Sequence, residues 1–313
     1  MEGILVATYR CNARCHMCNT WQFPSSPEDE LDIKYYEQLP NMKFLNITGG
    51  EPFIRQDLGE IVRIVKPKAD RICISTNGYF TDRVVALAEK YPDLGFRVSL
   101  EGLPAANDEL RGIKDGFDHG LRTILQLRRM GVKDIGFGIT VSDRNAKDLM
   151  ELYELANGLN VEFATAVVHN GYYFHKEDNA IQKKEEVSEC FRQLIREFFR
   201  TKRPKNWFRA YFNHGLINKV NDGKRFLPCE MGADVFLVDP FGEIYPCNVL
   251  PESMGNIKDG PWDKVWNSAR AQEVRCKTRS CDRECWMIGS ASPAIKKHKW
   301  SVLRWILKNK WSY

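Results

Sequence analysis

Residues 8–21 read "TYRCNARCHMCNTW", and three cysteines, Cys11, Cys15 and Cys18, fall within eight residues directly after an apolar segment. Three thiolates in one short loop point to a bound metal group. A structural zinc site takes four protein ligands, usually as two pairs of cysteines or histidines. The spacing here is C-x3-C-x2-C, and the nearby histidine, His16, lies between two of the cysteines. A cubane iron–sulfur cluster fits better, because three thiolates bind three irons and leave the fourth iron open to an exogenous ligand.

Outward from this loop, short apolar runs alternate with amphipathic segments up to about residue 170. The strand-like runs are Ile4–Tyr9, Phe44–Thr48, Arg71–Thr76, Phe96–Leu100, Ile135–Val141 and Val161–Val168. Between them, residues 57–65, 82–91, 119–131 and 146–159 carry apolar side chains at intervals of three and four, the helical period. Six β–α alternations predict an α/β fold with a parallel sheet covered by helices, either doubly wound or a curved partial barrel. In both architectures ligands gather at the carboxyl ends of the strands. The cysteine triplet, "TGGEP" (48–52), "STNG" (75–78) and "SLEG" (99–102) all fall at such ends, so four unusual loops face one cavity.

The 313 residues suffice for one large α/β domain and a smaller module. A net charge of +5 is too mild to argue for nucleic acid, and no nucleic-acid partner is expected. No basic, apolar and small-residue succession marks a signal peptide, and no run is long enough to cross a membrane. A cytoplasmic, reducing setting is therefore expected, where ten cysteines are ligands rather than disulfides. Their distribution agrees: three lie at 11–18, five at 229–285, and Cys73 and Cys190 stand apart.

After residue 170 the alternation stops. A long amphipathic helix is expected over 181–200, a second over 207–220, and a hairpin in "VFLVDPFGEIYPC". The expected organisation is a barrel with its following helices over 1–222, a cysteine-rich module over 223–290 and a basic amphipathic helix over 291–313. The module contains Cys229, Cys247, Cys276, Cys281 and Cys285.

These motifs resemble the radical S-adenosylmethionine superfamily, whose C-x3-C-x2-C loop follows the first strand of a partial (β/α)6 TIM-like barrel. The match is Cys11, Cys15 and Cys18; Met17 stands where the family usually has an aromatic residue whose backbone contacts adenine. The resemblance implies that the open iron binds S-adenosylmethionine through its amino and carboxylate groups. It further implies cofactor contacts from Gly49, Gly50, Glu51 and Pro52, from Ser75 and Asn77, from Ser99 and Glu101, and from Arg111, which pairs with the methionine carboxylate. Val141, in "GFGITVSD" (136–143), falls in the segment that touches adenine through backbone groups. The glycines are expected to let backbone approach the ligand closely, and Glu51 to accept from its ammonium. The implied chemistry is reductive cleavage to a 5′-deoxyadenosyl radical that removes hydrogen from an unactivated carbon.

The second cysteine group resembles the SPASM or shortened Twitch extension of the same superfamily, and the likeness spans roughly residues 4–285. It implies one auxiliary 4Fe–4S cluster beside the first, on Cys229, Cys247, Cys281 and Cys285, with Cys276 as the alternative ligand. A structural zinc site is the competing reading. A reductant such as flavodoxin or ferredoxin is implied as a partner. Ten residues precede Cys11, too few for a peptide-gripping domain, so the expected substrate is small: carbohydrate-like, nucleotide-linked or lipid-linked. Peptide maturation by cross-linking, oxidation or epimerisation is the alternative, and a non-catalytic iron–sulfur or zinc module the third. The tail "KKHKWSVLRWILKNKWSY" (296–313) forms a broad apolar arc beside lysines. That arc suits docking on the protein, peripheral membrane contact or dimerisation.

Overall fold

The structure, a computed structural model, describes residues 1–313. Six parallel strands, β1 (Glu2–Val6), β2 (Phe44–Thr48), β3 (Ile72–Thr76), β4 (Gly95–Ser99), β5 (Ile135–Val141) and β6 (Glu162–Val167), run side by side in sequence order. Five helices connect or cover them: α1 (Leu58–Val65), α2 (Thr81–Lys90), α3 (Pro104–Arg111), α4 (Gly116–Arg129) and α5 (Leu149–Gly158). Ile135, Phe137, Ile139 and Val141 alternate along β5 with at most 3% exposure, and such residues join the helices' apolar faces in one continuous core. This is an open, partial TIM-like barrel, with the cavity-forming loops at the strands' carboxyl ends.

The two edges are closed differently. At β6, the helices α6 (Lys184–Arg200) and α7 (Pro204–Val220) cover the edge, and Thr165 Oγ1 donates to Asn213 Oδ1 on α7 (2.9 Å). Val187, Phe191, Leu194, Ile195 and Phe198 supply α6 with its buried stripe. At β1, the expected hairpin extends the barrel sheet. Its first strand, β7 (Val235–Val238), pairs in parallel with β1, Glu2 opposite Val235. Antiparallel β8 (Glu243–Tyr245) and β9 (Gly255–Asn256) then extend the sheet to the order β6-β5-β4-β3-β2-β1-β7-β8-β9. The physical reason is β1's second edge, whose peptide groups need partners. "VFLV" is buried along its whole length, as a central parallel strand should be.

The remaining elements are α8 (Trp262–Trp266), α9 (Ala269–Arg279), α10 (Ile288–Lys297) and α11 (Lys299–Asn309). α11 lies on α6 and α7: Val302 and Ile306 are buried, and Trp305 packs against Phe199, Tyr211 and His214 with ring centroids 6.0, 5.2 and 4.7 Å apart. No helix is long and apolar enough to cross a membrane.

Candidate iron–sulfur and cofactor site

The cysteine loop begins where β1 ends, and "GGEP" begins where β2 ends. The two exits stay hydrogen-bonded beyond the strands: Gly50 N donates to Thr8 O (2.8 Å) and Glu51 N to Arg10 O (2.9 Å). A Cβ on Gly49 would lie 2.5 Å from Thr8 O, and one on Gly50 2.3 Å from Arg10 O. The glycines are therefore required by the chain's own backbone beside the cysteine loop, whatever ligand that loop holds.

Beneath this junction lies a polar brace that the sequence did not announce. Buried Glu30 accepts from Ser25 Oγ (2.7 Å), from Thr8 Oγ1, and from Arg10 Nε and Nη2 (3.0 and 2.7 Å). Arg55 lies 3.7 Å from the same carboxylate and donates to Ala7 O (3.0 Å) and to Asp57. Arg10 fixes the turn into Cys11 in this way; its position directly before the cysteine was the one available hint.

Within the loop, Ala13 N donates to Cys11 Sγ (3.4 Å), and Cys18 Sγ lies 3.1 Å from Thr20 Oγ1. Arg14 N and His16 N donate to the carbonyls of Arg111 and Leu110 at the end of α3 (2.9 and 2.8 Å). Burial pushes the Cys11 thiol up to about 12 and the Cys15 thiol up to about 11, and each feels the neighbouring cysteine's charge. Metal binding must therefore displace protons here. The three thiols share the loop, and no group of three or more Cys, His, Asp or Glu side chains is drawn together closely enough to hold a metal ion.

The other loops converge on the same place. Glu51, wholly buried, does not extend into an open cavity: Oε1 accepts from Phe53 N (3.1 Å) and Thr76 Oγ1 (2.8 Å), and Oε2 from Asn77 N (2.7 Å). It braces the "STNG" turn, beside buried Pro52. Asn77 Nδ2 reaches Asn12 Oδ1 in the cysteine loop (2.8 Å), and Ser75 Oγ donates to Asn46 Oδ1 (3.0 Å). Ser99 is half-buried at the end of β4. Val141 O accepts from Val168 N (3.0 Å), which continues the β5–β6 ladder, and Met17 O accepts from Asn179 Nδ2 (3.1 Å).

Glu101 and Arg111 form a buried ion pair (2.8 Å), and Glu101 Oε2 also accepts from Thr140 N (2.6 Å). Burial raises the pKa of Glu101 and Glu51. Burial works against the charged form of Arg111, but Cys15 and Glu101 more than offset it and hold the pKa above its ordinary value. Three buried donors at or just beyond the cysteine loop lack partners: Trp21 Nε1, and the pair Arg111 Nε and Asn12 Nδ2. Unsatisfied buried donors are costly, and this pair suits an anionic, carboxylate-bearing ligand. The amino-acid portion of S-adenosylmethionine meets that requirement.

The second group gathers from three segments. Cys229 precedes β7, Cys247 follows β8, and Cys281 and Cys285 follow α9. Cys247 is buried, accepts from Val249 N and Leu250 N (3.4 Å each), and has its thiol pushed up to about 11 by that burial, with Cys285 and Cys229 within electrostatic reach. Cys285 in turn feels Cys281 and Cys229. Cys276 sits exposed on α9.

Residues 169–179 bridge the two cysteine regions. On one side Asn19 N and Thr20 Oγ1 donate to Phe174 O and Tyr173 O (2.8 and 3.0 Å). On the other, Tyr172 N and Tyr173 N donate to Val249 O and Asn248 O (3.2 and 3.1 Å). Tyr173 OH donates to Gly49 O (2.6 Å). Tyr173 also packs against Tyr9, His175 stacks on Phe23, and Tyr172 lies against Tyr245, so aromatic rings wall the mouth. His169 carries a further orphan: Nδ1 lies 3.1 Å from Val167 O, whereas buried Nε2 has no partner.

Comparison with known proteins agrees with this architecture. Residues 5–156 match the Radical SAM superfamily and residues 229–287 the iron–sulfur cluster-binding SPASM domain. Fe-coproporphyrin III synthase of Methanosarcina barkeri is 32% identical over 47% of this chain, a match spanning 39% of that protein. AdoMet-dependent heme synthase of the same organism is 27% identical over 88% of this chain and 86% of its own. Mycofactocin maturase MftC of Mycolicibacterium smegmatis is 28% identical over 86% of this chain and 70% of its own. Among solved structures, native anSMEcpe with bound AdoMet and the Cp18Cys peptide superposes with a TM-score of 0.63 at 16% identity, over 91% of this chain and 87% of that one. Fold and site define an enzyme with one 4Fe–4S cluster that binds S-adenosylmethionine and an auxiliary cluster in a C-terminal region. The chain belongs to the radical SAM superfamily and carries a SPASM domain.

Proposed function

We propose that this enzyme removes hydrogen from a small, ring-bearing polar substrate (carbohydrate-like, nucleotide-linked or lipid-linked) held between the two cysteine regions, with net oxidation. The carrying observation is the 169–179 segment, hydrogen-bonded to both regions, with tyrosine and histidine rings at the mouth. Aromatic faces with polar edges suit ring stacking combined with directed hydrogen bonds. Cys11, Cys15 and Cys18 would hold the first cluster, and Cys229, Cys247, Cys281 and Cys285 the auxiliary one. When bound, the first cluster and S-adenosylmethionine supply a carbon radical able to take hydrogen from an unactivated C–H bond. Arg111 and Asn12 orient the cofactor's carboxylate, Glu51 and Glu101 keep their turns in place, and the aromatic wall excludes water. His169 Nε2 is available to a substrate hydroxyl or carbonyl. A flavodoxin or ferredoxin would deliver the reducing electron.

A small substrate is supported by the heme synthase, a relative matched over most of both chains. Peptide maturation is the second reading, supported by the mycofactocin maturase. The test is 5′-deoxyadenosine formation by the reconstituted, reduced enzyme, stimulated by fractions of host extract. Stimulation by a fraction below about 1 kDa that survives protease treatment is expected. Stimulation confined to protease-sensitive material would replace this reading with peptide maturation.

A further inference from the structure

Docking of α11 divides the apolar arc of the tail. Val302, Trp305 and Ile306 face α6 and α7, whereas Trp300, Leu307 and Trp311 are 73, 65 and 87% exposed. Positions 300, 307 and 311 are seven and four apart, so they share one face of the helix and its following turn. That face carries a one-signed charge. From residue 286 to 313 the chain has six lysines and arginines and no aspartate or glutamate. Lys296 and Lys297 are engaged by Glu2, Glu230 and Asp234. Lys299, Arg304 and Lys308 are exposed and have no carboxylate partner, and Lys299 lies 5.6 Å from the ring centroid of Trp300, whereas Lys310 is drawn inward, its Nζ 3.5 Å from the ring centroid of Trp207 on α7.

We infer that the outward face of α11 is a docking surface for an anionic lipid bilayer. Trp300, Leu307 and Trp311 enter the headgroup region, and Lys299, Arg304 and Lys308 meet lipid phosphates. Indoles prefer that depth, and a basic rim around an apolar stripe gains from both burial and attraction to anionic lipid. The inward face, already packed on α6 and α7, fixes the stripe so that no ordering of the helix is needed on binding. A second copy of the chain fits poorly, because a self-complementary contact would bring three unpaired cations against three more. The inference goes beyond the reaction proposed above and does not rest on it.

Flotation of the full-length reconstituted protein tests it, with phosphatidylcholine vesicles and with vesicles also containing phosphatidylglycerol. The protein should float with the anionic vesicles, little with the neutral ones, and less as salt rises. The Trp300→Ala/Leu307→Ala/Trp311→Ala variant should lower that partitioning by about tenfold or more, with iron content and melting temperature unchanged. Lys299→Glu/Arg304→Glu/Lys308→Glu should abolish the preference for anionic lipid. Absence of flotation by the native protein, or equal flotation by the apolar triple variant, would overturn the inference. So would a native dimer that fails to float and that the same variant converts to monomer.

Discussion

Cys11, Cys15 and Cys18 share one eight-residue loop, and that loop is tied before its first cysteine to the β1–β2 junction by Glu30 and Arg10, at its middle to the end of α3 by Arg14 and His16, and just past its last cysteine to Phe174 and Tyr173 by Asn19 and Thr20. Cys229, Cys247, Cys281 and Cys285 come from three separate segments, and Cys229 and Cys281 are exposed. The first site is shaped by protein contacts before any metal arrives. The second is assembled from distant segments, so a cluster there would itself be a cross-link, contributing to folding as structural metals do.

The largest effect expected from one substitution is at the prebuilt site. Arg111→Ala leaves Glu101 buried without its cation, and breaking such a pair costs roughly 3–5 kcal/mol. Iron-free protein should therefore melt well below native, and its affinity for S-adenosylmethionine should fall after reconstitution. An unchanged melting curve would mean that the barrel site is not protein-braced.

Asp239 tests the other side. It begins the β7–β8 turn, accepts from Phe241 N and Glu243 N (2.9 Å each), and burial raises its pKa to about 6. A carboxyl raised above its ordinary 3.8 favours folding while protonated, below that value, and this contribution is lost as pH rises through about 6. Asp239→Asn keeps the acceptor and cannot ionise. It should exceed native stability by up to about 3 kcal/mol above pH 7, with the difference vanishing below pH 4. Melting temperatures across that range provide the check, and a difference that grows on acidification would refute it.

The smallest effect expected is Cys276→Ser, which should leave iron and sulfide content unchanged while Cys285→Ser lowers both. The pair sharpens the ligand set, because a loss of iron on changing Cys276 would place α9 in the cluster.

The barrel half was legible because its signals are local. β2 and β5 are flanked by turn residues and span the residues expected, Phe44–Thr48 and Ile135–Val141. α3 escaped notice as a helix because its eight residues show too few turns for a period, although Pro104 at its start and Gly112 (φ 55°) at its end mark it. The parallel pairing of β7 with β1 joins residues more than 200 apart, and no spacing encodes that. The role of Glu30 was equally hidden, since it depends on four side chains from three loops. The tail's apolar arc was visible on a helical wheel, but its division into a docked and an exposed face depends on where α6 and α7 lie. Glu51 and the two glycines stood out as unusual residues in the sequence, but their contacts with the chain's own turns depend on how the strand exits pack together.

The central claim is two iron–sulfur clusters on two differently built sites. Metal and sulfide analysis of anaerobically purified and reconstituted protein tests it most directly. About eight irons and eight sulfides per chain are predicted. The Cys11→Ala/Cys15→Ala/Cys18→Ala variant should retain about half and lose all cleavage of S-adenosylmethionine. Stoichiometric zinc in the native protein, with only the iron of one cluster, would contradict the account.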